Sequence, residues 1–133
     1  MILAIDIGNT NIVIGCIENE KSLFIERLST VRTKTEIEYA VDMKTLLDIY
    51  KIKPADIEGG IISSVVPQIT NIARLAAEKI LHKKVMVIGP GVKTGLNILL
   101  DQPGQVGADL VAAAVAGIAG YPVPQIIIDM GTA

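Results

Sequence analysis

The sequence predicts an α/β fold in which a mixed β-sheet carries helices on its faces. Two observations support this class: β-branched apolar runs near the N-terminus are separated by tight polar turns, and later apolar runs alternate with helical patterns. An initial meander followed by crossover units produces a mixed sheet. Of the 133 residues, 50% are apolar, 20% are charged and 3% are aromatic. This length and composition fit one domain with an aliphatic core.

Three strands are expected at the N-terminus. Residues 1–7 and 11–17 are apolar, β-branched runs separated by Gly8-Asn9-Thr10, a pattern typical of a hairpin. A polar turn at residues 18–21 leads to a third run over residues 22–28. Together the three runs predict an antiparallel meander.

The remainder of the chain alternates helices and strands. Apolar residues at helical spacing predict a helix over residues 35–50, and Thr35 with Glu38 forms a capping-box pattern at its start. Pro67 opens a second helix that extends to about Leu81. The other expected elements are strands at 59–64, 85–88 and 125–129, a Gly/Pro-rich loop at 89–103 and an Ala-rich helix at 106–119.

Charge and composition exclude several functional classes. The formal net charge is −2, so the chain lacks the excess of positive charge that is typical of proteins that bind nucleic acid or an anionic membrane. The single Cys16 excludes an internal disulfide and a Cys-based zinc site, and the single His82 excludes a multi-His metal site.

We expect neither a membrane span nor a signal peptide. Residues 110–128 carry no charge, but they are mostly Ala and Gly in their first half, and Gly120 and two prolines then interrupt the stretch. The apolar start of the chain is stopped by Asp6, which argues against a signal peptide.

Two Asp-containing turns are candidate phosphate-binding sites. Asp6-Ile7-Gly8-Asn9-Thr10-Asn11 ends the first strand, and Asp129-Met130-Gly131-Thr132 follows the last one. Gly8 permits backbone angles that aim successive N–H groups into one space, and the polar residues after it add side-chain donors. Asp6 suits a hydrated Mg²⁺, which prefers a carboxylate and water. An ordinary Asn/Gly hairpin turn is the alternative, and the second Asp-x-Gly-Thr sequence favours phosphate binding.

Asp109 is the candidate catalytic base. It follows Gly107-Ala108 at the start of the Ala-rich helix, where the helix dipole favours a carboxylate, so a plain helix-start acid is the alternative. The functional interpretation is a base that accepts the proton of an attacking hydroxyl, which can leave late in phosphoryl transfer. Residues 89–95 do not match a P-loop, because Val92 rather than Gly precedes Lys93.

Four motifs in this order resemble one known family. They are the Asp-x-Gly-x-Thr hairpin at 6–10, G-P-G-V-K-T-G-L-N-I at 89–98, V-G-A-D at 106–109 and D-M-G-T-A at 129–133. Over the whole chain they resemble type III pantothenate kinases, of the actin/Hsp70/sugar-kinase superfamily. The resemblance implies an α/β, ribonuclease-H-like (actin-like ATPase) domain. Its mixed five-stranded sheet would have an antiparallel N-terminal hairpin meander and helices on both faces.

The resemblance also implies an activity and its residues. The family transfers the γ-phosphate of ATP to pantothenate, giving 4'-phosphopantothenate for coenzyme A synthesis, and its members are cytoplasmic homodimers. Asp109 would accept the proton, Asp6 would lie near Mg²⁺, and Asp129 would help bind a monovalent cation, K⁺ or NH₄⁺. The implied ATP-binding residues are Asp6, Ile7, Gly8, Asn9, Thr10, Asn11, Ile12, Val13 and Thr132. The implied pantothenate-binding residues are Leu100, Gly107, Ala108, Asp109 and Leu110.

Two positions depart from the family pattern. Leu110 stands where members commonly carry Arg, and Leu100 stands where they commonly carry Tyr. An Arg can pair a carboxylate through two hydrogen bonds and Leu cannot, so a regulatory, non-catalytic relative is an alternative. Members also have a second domain of similar fold after D-x-G-T-A. We therefore expect residues 1–133 to be the N-terminal domain, truncated at the second phosphate loop and inactive by itself.

Other classes share parts of this pattern. A two-metal nuclease of ribonuclease-H type needs several carboxylates at neighbouring strand ends, but the fourth strand ends in Ser63-Ser64. An ATP-driven switch of actin or Hsp70 type and an exopolyphosphatase-like hydrolase share the Asp-x-Gly turn. Transfer to an alcohol marks a kinase, whereas release to water marks a hydrolase.

Overall fold

The computed structural model describes residues 1–89 and 92–130. In chain order the elements are β1 Ile2–Ile7, β2 Asn11–Glu18, β3 Lys21–Ser29, α1 Glu36–Ile49, β4 Gly59–Ser64, α2 Pro67–Leu81, β5 Val85–Val87 and α3 Ala108–Gly120. The predicted order is confirmed through the third helix, with small differences at the ends of elements. Within the described ranges, no helix is both long enough and apolar enough to span a bilayer.

The five strands form one mixed sheet in the order β3-β2-β1-β4-β5. The pairs β1–β2 and β2–β3 are antiparallel, whereas β1–β4 and β4–β5 are parallel, so the predicted meander and crossovers are confirmed. The register pairs Asp6 of β1 with Val13 of β2 on one side and with Ser63 of β4 on the other. The carboxyl ends of β1 and β4 therefore lie side by side.

One face of the sheet, here called the packed face, is covered by α1 and α2. Strand alternation turns Leu3, Ile5 and Ile7 towards these helices, and each is at most 2% exposed. The same aliphatic core includes residues of β2 and of both helices, among them Ile12, Ile14, Cys16, Met43, Leu47, Ala73, Ala76 and Ala77. The core is continuous and holds a single aromatic ring from each of β3 and α1, Phe24 and Tyr39.

The first helix begins as its sequence predicts. The carboxylate of Glu38 accepts hydrogen bonds from the backbone N (2.8 Å) and the Oγ1 (2.7 Å) of Thr35. These bonds confirm the capping box and lower the pKa of Glu38 below its usual value. The fixed start of α1 sets where this helix lies on the packed face.

The opposite face of the sheet, here called the cleft face, carries α3. This helix contacts β4, so the predicted helices on both faces are confirmed. No residue of α3 is buried, and an open cleft of about 910 Å³ lies between the helix and the sheet. The two faces are therefore covered unequally.

The predicted strand over residues 125–129 is wrong. No strand follows α3 in the described residues, and Ile126 and Ile128 are 90% and 79% exposed. A strand needs a neighbour for its backbone hydrogen bonds, and this segment pairs with none of the five strands. Instead, Gln125 and Ile127 pack on α3 at Gly117, where an added Cβ would come within 3.0 and 3.1 Å of their side chains.

Candidate active site

The cleft between α3 and the sheet is the candidate active site. Its floor is formed by residues of the cleft face, such as Ala4, Val13 and Ile61, and its other wall by α3. Most of the lining side chains are aliphatic, and a few polar groups are placed among them. A concave, largely apolar site of this size with few polar groups is typical of small-molecule binding.

Three carboxylates predicted from the sequence line this one cleft. Asp6 is the last residue but one of β1, Asp109 lies in the first turn of α3, and Asp129 lies in the segment after α3. Asp6 and Asp129 are exposed, and Asp109 is half-buried. The three come from distant parts of the sequence, so it is the fold that brings them to one space.

The carboxylates do not form a metal cluster. Over residues 1–89 and 92–130, no three His, Cys, Asp or Glu side chains are placed to hold one metal ion together. Asp6 could therefore hold a cation as a single carboxylate, completed by water or by a ligand. That donor set suits Mg²⁺ bound with substrate phosphates, and it does not supply the several carboxylates of a two-metal nuclease.

The orientation of Asp109 at the start of α3 depends on the glycine two residues before it. The carboxylate of Asp109 accepts the backbone N–H of Leu110 through Oδ1, at 2.8 Å. A Cβ on Gly107 would overlap this same oxygen. Glycine at position 107 is therefore what lets the Asp109 carboxylate adopt its observed orientation.

The turn after β1 is held by its own hydrogen bonds. The N–H of Gly8 donates to the carbonyl O of Asn11 at 2.9 Å, and the carbonyl of Gly8 accepts from Thr30 Oγ1 at 2.7 Å. A Cβ on Gly8 would lie 3.1 Å from the Asn11 oxygen, a tight contact that the turn would have to relieve by a shift of a few tenths of an ångström. Because the Gly8 N–H is engaged within the turn, Asn9 and Thr10 at its exposed tip are better placed to meet a ligand.

The strand residues that flank this turn face in different directions. Ile7 and Ile12 are fully buried in the packed core, so only their backbone could reach a phosphate. Val13 lines the cleft. Arg32, from the loop before α1, donates to Asn9 Oδ1 at 3.2 Å and brings a positive charge to the turn.

The residues predicted to bind pantothenate divide between two hollows. Leu100, Gly107 and Leu110 line a second hollow of about 520 Å³, whereas Asp109 lines the main cleft. Ala108 is half-buried and lines neither. The first turn of α3 thus stands between the two hollows. Thr132, the remaining predicted ATP-binding residue, lies outside the described residues.

Four polar residues of the cleft were not predicted as site residues from the sequence. Lys93 and Thr94 line it from the loop after β5, Ser63 lines it from β4, and Ser22 lines it from β3. Lys93 is exposed and adds a cation to a cleft that holds three acids. The available signals were the Lys-Thr pair within the 89–98 motif and the serine pair that ends an otherwise apolar strand.

Comparison with known proteins decides the family. A family model described as type III pantothenate kinase matches residues 2–133. The chain belongs to the type III pantothenate kinase family. Curated type III pantothenate kinases from Halalkalibacterium halodurans, a Geobacillus species and an Exiguobacterium species are 47%, 47% and 46% identical to it over 133 residues. The chain spans about half the length of these relatives, 52% in each case.

A solved structure supports the fold of this type III pantothenate kinase family member. The crystal structure of a proposed N-acetylglucosamine kinase from Porphyromonas gingivalis superposes with a TM-score of 0.51 and is 19% identical in sequence. The match covers 65% of this chain and 33% of the other. At this identity the likeness concerns the fold alone, and it agrees with the ribonuclease-H-like, actin-like ATPase class expected from the sequence.

Proposed function

We propose that residues 1–133 form the first of two domains of an enzyme that phosphorylates pantothenate with ATP. The observation that carries this proposal is the convergence of Asp6, Asp109 and Asp129 on one cleft. Membership of the type III pantothenate kinase family supports the choice of substrates. In this proposal a second domain supplies the other wall of the nucleotide site.

The turn after β1 binds the ATP phosphates in this proposal. The proposed ATP contacts come from the turn and from the strand ends that flank it, and Thr132 contacts ATP from the second Asp-x-Gly-Thr sequence. The flanking contacts are Asp6 and Ile7 of β1 and Asn11, Ile12 and Val13 of β2, and the turn itself contributes Gly8, Asn9 and Thr10. The Asp6 carboxylate holds Mg²⁺ through water, and Asp129 supplies an oxygen ligand to K⁺ or NH₄⁺. Bound cations offset the negative charge of the phosphates, and the exposed carboxylates of the cleft have the hard oxygen donors that such cations prefer.

Asp109 accepts the proton of the attacking pantothenate hydroxyl. One of its oxygens already accepts the Leu110 N–H, which orients the carboxylate and leaves Oδ2 for the substrate. A strong base is not required, because the hydroxyl proton can leave late when the transition state is loose. The residue acts by position, at the boundary between the main cleft and the second hollow.

Pantothenate lies at the first turn of α3, against Leu100, Gly107, Ala108 and Leu110. The second hollow, which three of these residues line, gives the substrate an apolar contact beside Asp109. Leu110 cannot form the two parallel hydrogen bonds that an Arg makes with a carboxylate, so we expect weaker binding of the pantothenate carboxylate than an Arg would give.

We further propose that the whole enzyme is a cytoplasmic homodimer with no nucleic-acid or membrane partner. The net charge of −2 supports the absence of nucleic-acid binding. Ile118, Ile126 and Ile128 are 55%, 90% and 79% exposed, and exposed apolar surface of this kind supports a further protein contact.

The test is a fusion in which residues 1–133 precede the remaining half of the Halalkalibacterium halodurans relative. With ATP, Mg²⁺ and K⁺ we expect 4'-phosphopantothenate, detected by mass spectrometry. The Asp109→Asn variant should lower turnover about 10²-fold or more while retaining ATP affinity. Asp56→Asn, an exposed acid outside the cleft lining, is the matched control and should leave turnover unchanged.

The fusion and its variants test the substrate, the role of Asp109 and the need for a second domain separately. A folded fusion that forms no product contradicts the proposed function and favours a regulatory relative. Unchanged turnover in Asp109→Asn removes that residue from its role. The free 133-residue chain should form negligible product, because proximity and water exclusion need both walls of the site. Robust product from the free chain would contradict the two-domain proposal.

A further inference from the structure

Two adjacent serines at the end of β4 have opposite environments. The Oγ of Ser64 accepts the backbone N–H of Val66 at 3.1 Å and shares a hydrogen bond with Thr70 Oγ1 at 2.7 Å. Ser63 is turned to the other side of the strand, where it lines the cleft and is 7% exposed. Among the residues that the structure describes, its Oγ has no hydrogen-bond partner.

An unpartnered buried hydroxyl at this position calls for a physical reason. A buried donor without an acceptor loses its hydrogen bonds to water and gains none in return. Apart from Asp6, nearby cleft-face residues such as Ala4, Ile61 and Met86 are apolar, so the strands around Ser63 do not themselves account for a hydroxyl. The hydroxyl is accounted for if a polar group enters the cleft and bonds to it.

The sheet register places this hydroxyl beside Asp6. Ser63 and Asp6 are partners across the parallel pair β1–β4, and adjacent strands lie about 4.8 Å apart. Both residues line the cleft. If Asp6 held Mg²⁺ and with it a phosphoryl group of the nucleotide, Ser63 would be close enough to contact that group. The anionic oxygens of that group accept hydrogen bonds that a hydroxyl can donate and a carboxylate cannot.

We propose that Ser63 is a further ligand-contacting residue, whose hydroxyl donates a hydrogen bond to the terminal phosphoryl group of the nucleotide. Of the phosphoryl groups of ATP, only the terminal one must reach both the Asp6 side of the cleft and the acceptor hydroxyl at Asp109, because it is the group that is transferred. The inference rests on the proposed function for the position of the phosphates. It goes beyond that function by assigning a contact to β4, a strand that carries no phosphate-binding motif.

The experiment compares two nucleotides that differ in the terminal group. Mg²⁺ complexes of AMP-PNP and ADP are titrated into the 133-residue chain and its variants, with binding followed by NMR. We expect Ser63→Ala to weaken AMP-PNP at least about tenfold, the effect of one hydrogen bond to a charged oxygen, and to leave ADP unchanged. Ser63→Thr, which keeps the hydroxyl, should restore most of the AMP-PNP affinity.

Ser64→Ala is the matched control, one residue along the same strand. It removes the hydrogen bonds to Val66 and Thr70, so it should lower the thermal midpoint without changing the ratio of the two nucleotide affinities. This control separates loss of stability from loss of a ligand contact.

Failure of the Ser63 proposal and failure of the proposed function give different titration results. Nucleotide binding that Ser63→Ala leaves unchanged overturns the Ser63 proposal alone and indicates that the hydroxyl binds only water. Equal weakening of AMP-PNP and ADP also overturns it, because the contact is then not to the terminal group. If the free chain binds too weakly to titrate, the fusion is titrated in the same way. Absence of nucleotide binding in both overturns the proposed function and this inference together.

Discussion

The two faces of one sheet differ in how completely they are covered. On the packed face, Ile5, Ile7 and Ile14 are at most 2% exposed beneath α1 and α2. On the cleft face, Ile25 is 64% exposed and Met86 is 55% exposed, and no residue of α3 is buried. A single strand can serve both faces, because successive residues alternate between them: in β1, Ile5 is buried in the packed core and its neighbour Ala4 lines the cleft.

This difference separates stability from ligand binding. The packed face buries the aliphatic core that offsets the conformational entropy of the chain. It thereby fixes the strands whose polar ends, Asp6 and Ser63, open onto the cleft. A face that is tightly covered has no room for a nucleotide, so the proposed site lies on the face that α3 leaves open.

The largest expected effect compares isoleucines on the two faces. Ile14→Ala should destabilise the chain by about 2–5 kcal/mol, because Ile14 is 1% exposed and its removal leaves a cavity in the core. Ile25→Ala, on the neighbouring strand but 64% exposed, should cost less than about 1 kcal/mol. Urea unfolding of both variants measures the difference. Equal costs would mean that Ile25 is covered in solution and that the two faces do not differ in burial.

Much of this architecture could be predicted from local sequence. Alternating and helical apolar patterns located the first five strands and three helices, and the Thr35-x-x-Glu38 spacing located the start of α1. The three acids were also found, because Asp6, Asp109 and Asp129 each lie in a short motif with glycine. Such features depend on residues that are neighbours in the chain.

The features that could not be predicted depend on contacts between distant segments. The apolar run at 125–129 suggested a strand, but whether it pairs depends on a neighbour that no local pattern reveals. Arg32 reaches Asn9 across the fold. Ser63 lies in no recognisable motif, and it is the sheet register that places it beside Asp6. The division of the predicted substrate residues between two hollows is likewise a property of the packed chain.

An intermediate effect is expected where the packed face supports the loop that leads to Arg32. The hydroxyl of Tyr39, a fully buried residue of α1, donates to the carbonyl O of Val31 at 2.7 Å and accepts its N–H at 3.2 Å. Tyr39→Phe leaves both backbone groups without this partner, which should cost about 1–2 kcal/mol. Tyr121→Phe, 72% exposed, is the control and should change stability by less than about 0.5 kcal/mol.

Urea unfolding of both tyrosine variants measures the two costs. If Tyr39→Phe is as mild as Tyr121→Phe, water replaces the lost hydroxyl and the packed face is less well sealed than its exposures indicate. A cost in the expected range shows that polar groups on this face depend on protein partners, unlike the hydroxyl of Ser63 on the cleft face.

The smallest expected effect is a pH dependence carried by α2 on the packed side. Glu78 accepts the backbone N–H of Val85 at 3.1 Å and a hydrogen bond from Arg74 at 2.7 Å, and these bonds lower the pKa of Glu78 from its usual value of 4.5. A group whose pKa is lower in the folded state stabilises the fold fully above its unfolded pKa. That contribution is lost as the pH falls through the folded value.

Glu78→Gln tests this because glutamine keeps an acceptor for Val85 but does not titrate. Between about pH 5 and pH 3 the urea midpoint of this variant should fall less steeply than that of the parent chain. Glu20→Gln, exposed in the turn between β2 and β3, should leave the parent slope unchanged. The effect is small because the Arg74 pair is partly exposed and therefore screened by solvent. Identical slopes in all three proteins would mean that the charge of Glu78 adds nothing measurable to the link between α2 and β5, which the pairing of β5 with β4 would then maintain.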